Sequence, residues 1–182
     1  MLDVLISNKT RIKLLFRFFL NPEMRTYLRE LGREFSESSN AVRIELNRFE
    51  KAGLIHSERE GNRKYYQANQ EYPLFLELQR IAMKNFGIDQ IYDAVINKLG
   101  DVNQVYLLGN LSKGLNSSII DLAIISSEID RTYLAKLIEV AEKSVKRKIR
   151  CLVLEPHESS IVPEPNMLIY DSSGEKTVNK ML

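Results

Sequence analysis

The chain is poor in the residues that most often build metal and redox sites. It has one cysteine, Cys151, and two histidines, His56 and His157, in 182 residues. A single thiol excludes an internal disulfide framework and any multi-cysteine zinc site within one chain. The two histidines stand alone, with no second histidine at ligand spacing, so neither supports a metal or triad assignment. No apolar run approaches the roughly 20 residues of a membrane span. The opening MLDVLISNKTRIK lacks the basic-then-apolar order and the cleavage site of a secretory leader. The expectation is a cytoplasmic protein with no membrane contact, no metal and no catalytic residue of the histidine or cysteine kind.

What is present is ordinary in amount and uneven in placement. Apolar residues make up 44% and charged residues 27%, as in a soluble globular protein with one large or two small domains. The net charge is only +2. Residues 1–70 hold 13 Lys and Arg against 9 Asp and Glu, and the remainder 13 against 15. A basic first part and a mildly acidic second part suggest two modules, the first suited to a polyanion.

The first seventy residues read as three helices and a hairpin. In TRIKLLFRFFLNP, Ile12, Leu15, Phe16 and Phe19 recur at helical spacing, and Asn21-Pro22 ends the run. A second helix is predicted over about 24–34, with Tyr27, Leu28 and Leu31 inside and Arg25, Arg29 and Arg33 outside. The third follows SESSN, where Ser38 or Ser39 can cap it. It turns Val42, Leu46 and Phe49 inward and ends at Gly53, while Asn40, Arg43 and Asn47 share the opposite face. Residues 54–60 and 63–68 form two strands around Gly61-Asn62, a pair suited to a tight hairpin turn. The hairpin tip carries Arg59, Arg63 and Lys64.

Helix, helix, helix and basic-tipped hairpin is the order of a winged helix-turn-helix. The stretch SSNAVRIELNRFEKAGLIHSEREGNRKYYQAN resembles the recognition helix and wing of ArsR/MarR-type bacterial regulators. The likeness lies in its small-polar start, its L..FEKAGLI exit and its R.GNRKYY wing. That arrangement would place the N-terminal part of the third helix at base edges in the major groove of double-stranded DNA. Asn40 and Asn47 suit adenine and Arg43 suits guanine. Ser39, Asn62, Arg59, Arg63 and Lys64 are the remaining candidates, the wing cations gripping phosphate or the adjacent minor groove. Against this stands a purely structural reading, in which Asn40 caps the helix and Arg43 is a solvated side chain.

Residues 71–99 read as a helical linker or arm. Pro73 starts one helix with Leu74, Phe75, Leu78, Ile81, Ala82 and Phe86. Gly87 breaks it, and Ile88, Ile91, Tyr92, Val95, Ile96 and Leu99 continue the pattern. A homodimer through one of these helices is expected, as the resemblance to two-fold regulators implies. The plainer reading makes these residues intrachain core.

Beyond Gly100 the period falls to two. Strands are expected at 103–110, 117–126, 149–156 and 166–173, with a helix from Arg131 and Asp130 as its N-cap. Lys143, Lys146, Arg147 and Lys148 suit that helix's C-terminal end, with a nucleic-acid or phosphate patch as the alternative. Cys151 reads as core. Here GNLSKG followed by IIDLAII is similar to the polymerase-β-type nucleotidyltransferase superfamily, over roughly residues 88–171. In that pattern a Gly-Ser turn faces a triphosphate and an Asp-x-Asp strand holds two magnesium ions. Gly109, Lys113 and Gly114 match, Asn110 replaces the serine as a helix-capping residue, and Asp121 supplies one acid.

The second acid position is Ile119. Residues two apart on a strand face the same way, so this isoleucine occupies a ligand slot. The later strand offers Arg150 and Cys151 where a third carboxylate would stand. The expectation is therefore an α/β chain of two domains. It comprises a winged helix (1–70), a linker (71–99) and a nucleotidyltransferase-like sheet domain (100–182) that is not an enzyme. Gly109, Asn110, Ser112, Lys113, Gly114 and Asp121 would be a nucleotide-binding remnant, with no required cofactor. Asp121 would accept hydrogen bonds from the turn amides or from Ser112. Two other readings stay open: an active nucleotidyltransferase, and a non-enzymatic protein partner of the toxin–antitoxin kind. A protein or nucleotide effector is left unassigned.

Overall fold

In a computed structural model residues 2–173 are described; 174–182, the end of the expected third segment, lie outside them. The chain forms two compact units, Met1–Ala82 and Met83–Leu182. The boundary falls inside one helix, so the stretch read as an arm is shared between the units.

The first unit runs α1 (Leu2–Leu5), α2 (Lys9–Leu20), β1 (Thr26–Tyr27), α3 (Leu28–Phe35), α4 (Ser39–Lys51), β2 (Ile55–Glu60) and β3 (Arg63–Ala68), and then enters α5 (Phe75–Phe86). Its three strands are antiparallel in the order β1-β3-β2. The predicted second helix therefore begins late: Thr26 and Tyr27 are extended and pair with Tyr66 and Tyr65. Two β-favouring residues beside an available strand edge outcompete one more helical turn. Tyr27 and Leu28 are half-buried rather than inside; Leu31 is fully buried.

Helix α2 is the centre of this unit. Leu14, Leu15, Phe16, Phe18, Phe19 and Leu20 are all buried, more than the single predicted stripe. They pack with the unit's other buried residues: Leu31 and Phe35 of α3, Val42, Leu46 and Phe49 of α4, and Phe75, whose ring lies 5.5 Å from that of Phe19. Encirclement also buries Arg17, and its Nε meets Glu34 Oε2 at 3.2 Å.

The second unit continues with α6 (Ile88–Ile91), a π-helical turn (Tyr92–Ile96) and α7 (Asn97–Leu99). Then come β4 (Gln104–Leu108), α8 (Gly109–Ser112), β5 (Ile119–Ile125), α9 (Arg131–Val145), β6 (Lys148–Leu154), a 3₁₀ turn (Pro156–Ile161) and β7 (Asn166–Asp171). The expected unbroken helix over 88–99 is thus interrupted by a wider turn. The sheet order is β6-β5-β4-β7, with β5 and β6 parallel and the other pairs antiparallel. Gly87 takes φ +77, and a Cβ there would lie 2.9 Å from Val145 Cγ1, so only glycine lets α6 start against α9. Asp130 caps α9, accepting from the Thr132 and Tyr133 amides, as its sequence position predicts.

Candidate nucleic-acid interface

The turn between α3 and α4 is built by close approach. Gly32 lies where an added Cβ would meet Glu37 O at 3.3 Å and Ser39 Oγ at 3.7 Å. Ser36 takes the left-handed conformation at the α3 C-terminus, and Ser38 caps α4 by accepting from the Ala41 amide. Of the two predicted caps Ser38 serves, which leaves Ser39 exposed in the first turn. Lys13 Nζ joins this corner, donating to Phe35 O and Glu37 Oε1, both at 2.9 Å.

Helix α4 then has two chemically opposite sides. Inward, Glu45 is buried among three donors: Arg11 Nε at 2.7 Å, Arg48 Nη1 at 2.5 Å and Asn8 Nδ2 at 3.2 Å. Burial pushes its carboxyl up, but the Arg11 and Arg48 guanidinium groups outweigh this and hold it below the usual carboxylate range. Outward, Asn40, Arg43 and Asn47 are exposed, with Arg43 Nη2 donating to Asn40 Oδ1 at 2.7 Å. Ile44, 44% exposed, is an apolar residue on the same outward side that helical spacing alone did not single out. A methyl-bearing side chain between amide and guanidinium groups matches the mixture that major-groove edges present, thymine methyl included.

The hairpin is tied to α4. Glu50 accepts from Lys64 Nζ at 2.7 Å and from the Ser57 hydroxyl, and these bonds hold the Glu50 carboxyl low and the Lys64 ammonium high. Lys64, predicted as a phosphate cation, is thus already engaged with a carboxylate. Gly61 has φ +57, which suits a two-residue hairpin turn with glycine first; Arg59, Asn62 and Arg63 around it are exposed.

Between α3, the start of α4 and the hairpin lies a concavity of ≈ 910 Å³. It gathers Ser39, Asn62, Arg63 and Lys64 from the sequence-predicted set, and adds Arg29 and Arg33. The last two were legible only as an outward face, because nothing in their spacing says that a hairpin folds over them. Its one acidic lining residue, Glu37, is paired with Lys13. Among the described residues no carboxylate pairs with Arg29, Arg33 or Arg63, so the concavity carries open positive charge. Arg59 is not among its lining residues.

The glycine turn of the second unit is arranged otherwise. Gly109 takes φ +64 at the end of β4, and its position lies beside the carboxylate of Asp121. Helix α8 is a single turn whose N-cap is Leu108, with no side-chain cap, so Asn110 does not play the capping role expected of it. Ser112 donates to the carbonyls of Gly109 and Pro165, at 2.7 and 3.0 Å, which pins the turn to the start of β7. Lys113 and Gly114 close it.

Asp121 makes a hydrogen bond other than those expected with the turn amides or Ser112. Its Oδ1 accepts from Arg150 Nε at 2.6 Å. The physical reason is register: β5 and β6 run parallel with Asp121 directly opposite Arg150, so a cation stands beside the acid. The contact raises the guanidinium's pKa further. Ile119 and Asp121 are half-exposed while Ile120 and Leu122 are buried, so the two positions share a face. Burial, and secondarily Asp121, pushes the Cys151 thiol up to about 12, so it is an unreactive thiol at neutral pH. Among the described residues no group of three His, Cys, Asp or Glu side chains could hold a metal ion, and no helix is long and apolar enough to cross a membrane.

No protein-family model matches the chain, and no curated protein is significantly similar to it. Among solved structures, reduced HlyU from Vibrio cholerae N16961 is similar at 16% identity and a TM-score of 0.34. The match covers 48% of this chain and 77% of that one.

Proposed function

We propose that the chain is a DNA-binding regulator whose first unit reads duplex DNA through α4. The observation that carries this reading is the outward side of α4, where Asn40, Arg43, Ile44 and Asn47 are exposed together and flanked by a basic concavity. Amide, guanidinium and methyl groups on one helical face suit base edges, and unpaired arginines beside it suit the phosphate backbone. The second unit acts without catalysis. Asp121 has an arginine for a neighbour and an isoleucine where a second acid would complete a metal pair. Its roles are dimerisation, ligand sensing or partner docking; pairing of two copies is also supported in the first unit, where Leu74, Leu76 and Ile81 are exposed.

A gel shift with the DNA upstream of the protein's own gene tests the reading. Retarded DNA whose affinity falls steeply with salt is expected, and Arg43→Ala weakens it. Salt-insensitive retardation, or none, rejects it. Incubation with magnesium and all four labelled triphosphates tests the silent second unit: label transferred in the wild type and lost in Asp121→Asn would show an enzyme instead.

A further inference from the structure

The short first sheet holds two arginine–tyrosine stacks that look alike and differ in charge. Tyr27 and Tyr65 are cross-strand partners, with rings edge to face at 5.7 Å. Arg63 lies over the Tyr27 ring and Arg25 over the Tyr65 ring, each 5.0 Å from the centroid. Arg25 is also paired with Glu60 at 2.7 Å and Glu58 at 3.4 Å, so its charge is consumed within the protein. Arg63 stands opposite Glu60 in the β2–β3 register, but Glu60 is paired with Arg25, and the Arg63 guanidinium lies against aromatic rings. The Tyr65 hydroxyl and then Tyr27 favour its charged form without cancelling it.

A stacked guanidinium keeps its charge and its hydrogen-bond donors while losing rotational freedom, because the ring contacts its flat face and leaves its edge outward. Arg63 and Tyr27 both line the concavity, and Arg29 and Arg33 line it from α3. We infer that Tyr27 is a positioning residue: it holds Arg63 at the concavity as a ligand for a backbone phosphodiester, and Arg29 and Arg33 complete the anion seat. This rests on the DNA-binding reading above and adds to it a named seat with a preset arm.

The test uses the full chain and a fluorescein-labelled duplex of mixed sequence, titrated by anisotropy at several salt concentrations. Arg63→Ala is expected to reduce the slope of log affinity against log salt by about 1, and Arg29→Gln with Arg33→Gln by about 2. Tyr27→Leu is expected to keep the slope and weaken binding roughly two- to five-fold, while Tyr27→Phe binds as wild type. Arg63→Lys, which keeps charge but stacks poorly, should match Tyr27→Leu. In an Arg63→Ala background Tyr27→Leu should cost nothing more, a result that a merely structural tyrosine would not give.

Arg25→Ala should leave the slope unchanged. If Tyr27→Leu fails to melt cooperatively, the Arg63→Lys and Tyr27→Phe pair decides the matter. An unchanged slope in Arg63→Ala, or an equal Tyr27→Leu penalty with and without Arg63, overturns the seat while leaving DNA binding intact. A wild type that binds no duplex overturns both.

Discussion

The concavity of the first unit and the glycine turn of the second each place an arginine on a strand beside one decisive partner. In the first, Arg63 lies on a tyrosine ring; in the second, Arg150 meets a carboxylate. Exposure does not separate them, since the Arg150 side chain is 68% exposed. The partner's chemistry does. A ring quadrupole orients a cation and leaves its charge to act outward, whereas a carboxylate at 2.6 Å cancels it locally. Availability of charge therefore follows from pairing: Arg150 is neutralised where it stands, whereas Arg63 keeps a charge that a polyanion can use.

The largest effect expected from breaking this contrast is at the outward face of α4, the face proposed above to read bases. Arg43→Ala should weaken binding to the upstream DNA by roughly five- to a hundredfold, measured by anisotropy at constant salt, because one bidentate base contact is lost. Arg150→Ala under the same conditions should change nothing. Equal losses from the two would mean that the second unit touches DNA as well.

Next in size is the inner side of α4. Glu45→Gln should destabilise the protein by about 1–3 kcal/mol at neutral pH in urea titrations, since two guanidinium groups lose their shared acceptor. The sign with pH follows from the lowered carboxyl. Its contribution is whole above the ordinary value near 4.5 and is lost as pH falls through the lower folded value. The gap between variant and wild type should therefore close in acid. A gap that widened below pH 4.5 would refute the ion-pair account.

A smaller effect should come from converting a closed cation into an open one. Glu58→Gln with Glu60→Gln leaves Arg25 stacked on Tyr65 but without its carboxylates. DNA affinity should rise roughly two- to fivefold and the salt slope by about 1. Unchanged binding would mean that Arg25 lies beyond reach of the backbone.

Where sequence reasoning succeeded and failed follows the same physical line. Helical spacing gave α2 and α4, Ser38 gave a cap, Gly61 gave the hairpin, and alternation in IIDLAII put Ile119 and Asp121 on one face. These are properties of a residue and its near neighbours. Arg25's neutralisation needed the pairing of a two-residue strand with β3, and the acids come from β2 beyond it. Asp121's partner lies 29 positions away across a parallel register. The extra breadth of α2's burial needed packing from several sides at once. No local pattern encodes a partner delivered by tertiary register, which is why the anion seat was visible only as scattered basic residues.

The subtlest expected effect concerns what Arg150 replaces. Removing it by Arg150→Ala uncovers the Asp121 carboxylate, yet one carboxylate on an open strand gives a divalent ion little beyond its hydration shell. Calorimetry with magnesium or manganese should show no binding, and DNA affinity should not move. Adding Ile119→Asp changes the argument, because positions 119 and 121 project to the same side and two acids can then share a cation. That double variant should take up a divalent ion with a dissociation constant on the order of a millimolar. Uptake by Arg150→Ala alone would show that the arginine was the sole bar, and that the isoleucine had been given too much weight.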